Sequence, residues 1–552
     1  MACIGEILVT TARELNLPIA PDTRILVAKV RKVSAKPLFE GCCCHALIAK
    51  VTNELHGLAA DLVKAYLARI EEASEFKAVL QVNPEAVAAA RELDEERVRS
   101  ASRGPLHGIP MLIKDNIATQ DKLDVSAAEG GGFRHQQATR GRRLDSGQTN
   151  LSEWTNFRGL NVSSGWNPRG GQTLGIYYHK STPEGSSAGS AIAASLALST
   201  AALGSETFGS ILQPAEFSNV VGLKPTRGLV GNDGAIPISS QQDVIGTLTR
   251  TVKDAAHLLS TMAGRSDVDE RIWNISFDTI PDFTTFYKET DLSGITIGVP
   301  RNSFDADSTS PFMASFEGAL ETLRSAGADV VDNANFSAAE DFRKLNQQVK
   351  GIVRSSEFRR DIVRYLDTLE SNPNKIHSAG DIIEFTKTFP GEEYPDRDIG
   401  KFLWTQTEGI DVDSQKYKDM VERERSFGGE GGILRAMAKY KLDVLVVPSS
   451  LGIANDLAAK MGFPVLGVPL GFYPEDTPVE HDSRIPNLVK LAPGMPYSLT
   501  LITKAYSDGV LLQVAYAFEQ LTAVRDNGPP PIKLPTTELK DVRGKKDIKV
   551  AL

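Results

Sequence analysis

Ser181–Pro225 reads STPEGSSAGSAIAASLALSTAALGSETFGSILQPAEFSNVVGLKP, and the fold is decided by it. Two Gly/Ser-rich turns, Gly185–Ser190 and Gly204–Ser210, flank a run of Ala, Ser and Leu. Ala and Leu favour helix, and small side chains let neighbouring backbone come close, so the spacing predicts a helix over Ser190–Leu203. Glycine in each turn permits positive φ and leaves backbone N–H groups free to meet a ligand. Upstream, GIPMLIKDN (Gly108–Asn116) is an apolar run that reads as a buried strand ending in a lone lysine, Lys114. A Gly/Ser turn is usually only a turn, and a lysine at a strand end usually points to solvent. Two serine turns and a half-buried lysine together are the parts of a hydrolytic site.

The motifs extend the pattern. They are GPLHGIPMLIKDNIAT (Gly104–Thr119), NLSEW (Asn150–Trp154), SSGWNPRGGQT (Ser163–Thr173), EGSSAGSAIA (Glu184–Ala193), GSETFGSILQPA (Gly204–Ala215) and VVGLKPTRGLV (Val220–Val230). In this order they resemble the amidase signature family of serine hydrolases, densely over 55–265 and more thinly beyond. The resemblance implies an α/β fold, a mixed twisted central sheet covered by helices on both faces. It implies a Ser–Ser–Lys triad: Ser210 as nucleophile, Ser186 as bridging serine at a cis peptide, and Lys114 as base. It places an oxyanion hole at the backbone N–H groups of Thr207, Phe208, Gly209 and Ser210. The chemistry asks for such parts. A serine hydroxyl needs an adjacent base. A lysine serves only when neutral, which burial in an apolar setting such as Met111–Ile113 promotes. Oxyanion donors contribute roughly 3–4 kcal/mol each. Two departures stand out. Phe208 occupies a position where relatives carry Gly or Asp. Leu212 replaces a common arginine, which leaves Glu206 without that partner.

The implied reaction is hydrolysis of a carboxamide, non-peptide or peptide-amide, to an acid plus ammonia or an amine, through an acyl-enzyme. Neither metal nor organic cofactor is implied, and the partner is a small-molecule amide. Other readings remain: a glutamine-dependent amidotransferase subunit, or a decayed, non-catalytic homologue. Gly185–Gly189 also fits the G-x-S-x-G elbow of α/β-hydrolases, with Ser187 as nucleophile and His257, His377 or His481 as base. That elbow needs an apolar strand just before it, and Tyr178–Glu184 does not read as one.

Composition agrees with a globular enzyme. The chain has 552 residues, 41% hydrophobic and 24% charged, with net charge −9. An acidic balance without a basic run argues against a nucleic-acid partner. No 18-residue apolar run predicts a membrane span, and no signal peptide is read in the first twenty residues. The expected location is cytoplasmic. Cys42, Cys43 and Cys44 beside His45 lack zinc-site spacing.

In chain order, 1–50 reads as an N-terminal extension and 51–527 as the catalytic domain. Within it, 336–440 is mostly helical and variable, and 528–552 is expected to be a disordered tail. Helices are expected over Ala59–Glu72, Pro84–Arg103, Phe312–Gly327 and Leu511–Leu521. Strands are expected at Phe76–Asn83, Ile295–Pro300, Ala328–Asp332, Asp443–Pro448 and Phe463–Phe472. Residues 124–149, DVSAAEGGGFRHQQATRGRRLDSGQT, are the anomaly, with four arginines and almost no aliphatic side chain. They read either as an exposed basic loop or as a frame slip or splicing error. If native, the sheet is expected to lack a core strand beside the site, and the protein to be unstable or inactive.

Overall fold

The computed structural model describes residues 58–543 apart from 101, 120–143, 265–274, 305–309, 370, 371, 484 and 486. The expected extension 1–50, with its cysteines, lies outside the described residues. Eleven strands form one sheet. They are β1 (Val79–Val82), β2 (Pro110–Lys114), β3 (Leu144–Thr149), β4 (Ala201–Glu206), β5 (Val221–Lys224), β6 (Val244–Thr249), β7 (Thr296–Gly298), β8 (Asp329–Val331), β9 (Val444–Val447), β10 (Val465–Phe472) and β11 (Pro496–Ile502). Their order is β1-β3-β2-β4-β6-β5-β10-β11-β9-β7-β8. The sheet is mixed: β2 runs parallel to β3 and β4, while β4 pairs antiparallel with β6. Side chains alternate between its faces. Met111 and Ile113 join one buried cluster and Leu112 another; Leu203 and Ala202 divide likewise. Helices cover both faces, among them α1 (Leu58–Glu72), α2 (Ala188–Ser195) and α3 (Leu212–Phe217).

Between β8 and β9 the chain leaves the sheet and becomes helical, including α4 (Gln347–Leu366) and α5 (Gly400–Thr407). Phe358 and Phe402 stack at 5.8 Å and meet Trp154 edge-on at 6.1 and 5.6 Å. This aromatic contact ties the helical segment to the NLSEW turn.

Three expectations are corrected. The helix expected over Ser190–Leu203 is shorter, ending at Ser195. Ala197 adopts φ +51°, and Leu198 N bonds back to Ala193 O at 2.8 Å. Ala201–Leu203 are then drawn into the sheet between β2 and β6. Secondly, the sheet does not lack a strand beside the site. Leu144–Thr149 fills that place, parallel to β2 and antiparallel to β1. Two of its polar side chains are accommodated locally: Ser146 Oγ donates to Met111 O at 2.8 Å, and the Thr149 and Ser190 hydroxyls meet at 2.7 Å. Thirdly, the tail expected to be disordered is ordered to residue 543. Ile532 N donates to Ile176 O at 2.8 Å, and Arg69 donates to Pro535 O and Thr537 O at 3.1 and 3.0 Å. Val542 is buried in the main core. The charged end of α1 supplies the partners that hold the tail down.

Candidate active site

β2 and β4 are parallel neighbours whose carboxyl ends open at one place, the usual position of a site on such a sheet. Lys114 ends β2 and is wholly buried. Its Nζ donates to Ser186 Oγ at 2.7 Å, Ser205 Oγ at 2.9 Å and Ser205 O at 3.2 Å. Asn116 Nδ2 donates to the same Ser205 hydroxyl at 3.0 Å. Burial pushes the lysine down to about 7, against the opposing pull of Glu206 and Asp243. A substantial neutral fraction is therefore present near neutral pH.

Ser186 follows a cis Gly185–Ser186 peptide bond. Its carbonyl accepts from Ser152 N at 3.1 Å. A Cβ on Gly185 would stand 2.3 Å from Ser152 Oγ, so the approach of these segments requires glycine. Ser187 then precedes α2 directly, with its hydroxyl turned to Ser205 O and not to the helix amides. On the same helix, a Cβ at Gly189 would meet Ala78 O at 2.2 Å. Small residues thus let the helix carrying the serines sit directly on β1, β3 and their connections.

The far end of α2 and the turn after it are held by three arginines. Arg69 donates to Ala197 O and Leu196 O at 2.8 and 3.0 Å. Arg250 donates to Ala194 O and Ser199 O, both at 3.1 Å, and Arg525 to Ser195 O at 3.0 Å. Cations there answer both the orphan carbonyls and the negative end of the helix dipole.

Ser210 lies in the turn between β4 and α3, and Gly209 takes φ +74°. Ser187 N donates to Ser210 O at 3.0 Å, joining the two serine turns through backbone. The Ser210 hydroxyl makes no hydrogen bond among the described residues, and neither do the N–H groups of Phe208, Gly209 and Ser210. Glu206 is not left without a partner by Leu212. Its Oε2 accepts from Ile211 N at 2.8 Å and Leu212 N at 3.1 Å, the first amides of α3. A carboxylate at a helix start needs no arginine, and Leu212 is free to join the core. Phe208 is half-buried.

The structure thus brings Lys114 and Ser186 into contact and sets Ser210 against their turn. Sequence reasoning missed Ser205, which accepts from the lysine, and Asn116, which bonds the Ser205 hydroxyl, although both lie in quoted motifs. It also missed Asp243, whose Oδ1 accepts from Thr207 Oγ1 at 2.6 Å. The elbow reading gains no histidine. Ser187 Oγ donates to Ser205 O at 3.2 Å, His257 pairs with Tyr287 at 2.8 Å, and His377 and His481 are exposed.

Comparison with known proteins gives the family. The profile of the Amidase family matches residues 61–512. A protein from Arthroderma benhamiae named as an amidase is 37% identical over 494 residues, covering 88% of this chain and 82% of its own. The crystal structure of a peptide amidase from Stenotrophomonas maltophilia superposes with a TM-score of 0.76 at 32% identity, covering 89% of this chain and 98% of that one. An amidase family protein from Bacillus anthracis gives 0.74 at 25% identity, over 91% and 96%. Among the described residues no helix is long and apolar enough to cross a membrane. The chain belongs to the amidase family, the amidase signature group of hydrolases that act on amides.

Proposed function

We propose that this amidase cleaves a small carboxamide, of the R–CO–NH2 or substituted-amide kind, through a Ser–Ser–Lys triad. Ser210 Oγ attacks the carbonyl carbon. Its proton passes to Ser186 Oγ as the Ser186 proton passes to neutral Lys114 Nζ. The backbone N–H groups of Thr207 to Ser210 receive the developing oxyanion. The lysine then returns a proton through Ser186 to the departing nitrogen, leaving an ester on Ser210. Water, deprotonated by the same relay, attacks that ester and releases the acid.

The observation that carries this reading is the 2.7 Å contact from a buried Lys114, with its pKa held near 7, to Ser186 Oγ. A lysine of ordinary pKa would be protonated and useless as a base. The name of the Stenotrophomonas relative supports peptide amides as the first substrates to try.

The test is fluorophosphonate labelling of the purified protein beside Ser210→Ala, read by intact mass. One adduct on the parent and none on the variant supports the assignment. A folded parent that takes no label, or a variant that still takes one, overturns it.

A further inference from the structure

Beside Ser205 lies a small open cleft lined by Thr155, Thr207, Ile236, Pro237, Ile238 and Asp243. Most of its polar groups are already engaged. The Asp243 carboxylate accepts from Thr207 Oγ1 at 2.6 Å, Ile238 N at 2.7 Å and Ser239 N at 2.9 Å. Glu206 is taken by the amides of α3.

Thr155 differs. Its hydroxyl oxygen is buried and has no hydrogen-bond partner. Buried hydroxyls nearly always have one, and leaving one unmet costs about 1–3 kcal/mol. Its backbone is unusual as well. Trp154, Thr155 and Asn156 take φ values of 45°, 51° and 66°, three consecutive left-handed residues. The left-handed region is a genuine outlier for a β-branched residue, and such strain persists where surroundings impose it, often at functional sites. Here they do so. Trp154 is wedged against Phe358 and Phe402, and Lys401 Nζ holds Asn156 O at 2.6 Å. The turn starts from Ser152, whose N–H donates to Ser186 O.

We propose that Thr155 is a specificity-determining residue: its hydroxyl hydrogen-bonds an uncharged side group of the substrate that packs against Ile236–Ile238. The carboxylates of Asp243 and Glu206 disfavour an anionic group in the same cleft. The substrate class is therefore a neutral amide with an aliphatic or aromatic body and one hydrogen-bonding atom. This rests on the serine-hydrolase reading above.

The experiment uses three amides on one scaffold: phenylacetamide and its 4-hydroxy and 4-carboxy derivatives. Expected kcat/KM falls in the order hydroxy, unsubstituted, carboxy, with at least tenfold between the extremes. Thr155→Val collapses the hydroxy-to-unsubstituted ratio about tenfold, and Thr155→Ser restores it, which a merely structural role would not do. An unchanged ratio in Thr155→Val, or carboxylate turnover equal to the neutral amides, overturns the assignment. Calorimetric binding of the three amides to Ser210→Ala separates the two readings. The same order of affinity without turnover by the parent supports the cleft assignment and sinks the hydrolase one; equal affinities sink the cleft assignment.

Discussion

Lys114 Nζ lies 2.7 Å from Ser186 Oγ, a contact between residues 72 apart in the chain. Under the proposed relay it sets the pH behaviour of the enzyme: the working form of Lys114 is then the neutral one, and burial lowers its pKa to about 7. Protonation below that value removes the base, so kcat/KM rises with pH through an inflection near 7. Asp243 pulls this value upward. Asp243→Asn therefore moves the inflection to lower pH. A profile on good amide substrate that is flat from pH 5 to 9, or an upward shift in the variant, contradicts the role given to the lysine.

Glu206→Gln weakens the charge-assisted bonds to Ile211 N and Leu212 N that start the helix after Ser210. The expected loss is about 1–2 kcal/mol of stability. Urea unfolding reads it as a lower midpoint at unchanged slope. No change would mean that the carboxylate caps nothing.

Thr155→Gly relieves one left-handed residue, about 1–2 kcal/mol, less about 0.5–1 for glycine's freedom in the unfolded chain. The folded state is expected to gain about 0.5–1 kcal/mol while kcat/KM on 4-hydroxyphenylacetamide falls. Chemical denaturation and steady-state rates on one preparation measure both. A less stable variant would show that the turn carries no strain.

Gln148 is wholly buried in β3, and neither its amide nitrogen nor its amide oxygen has a partner. Gln148→Leu keeps roughly the same volume and removes both unmet groups. The expected gain is about 1–3 kcal/mol. A loss in denaturation midpoint would mean that the amide is satisfied in solution, for example by bound water.

Much of the site was legible because its parts are short motifs in which glycine, serine and lysine have few other uses. The roles expected of Lys114, Ser186 and Ser210 came from the family resemblance that those motifs carry. Motif order says nothing about which side chains meet, so Ser205 and Asn116 went unassigned within quoted stretches. Composition misled at two places. LDSGQT does not look like a strand, since β3 is polar yet sits between β1 and β2, where the Ser146 hydroxyl meets Met111 O and the Thr149 hydroxyl meets Ser190 Oγ. The Ala/Ser/Leu run after Ser190 suits helix or buried strand equally, and pairing with β2 and β6 decided its second half. The left-handed turn at Trp154–Asn156 has no local signal, because tertiary packing imposes it.

The three arginines at the far end of α2 come from the start, middle and end of the catalytic region: Arg69, Arg250 and Arg525. A chain still emerging from the ribosome holds the serines long before it holds Arg525. The end of α2 therefore gains its last arginine only when synthesis is nearly over. A chain cut short before Arg525 carries Lys114, Ser186 and Ser210 but lacks the contact to Ser195 O.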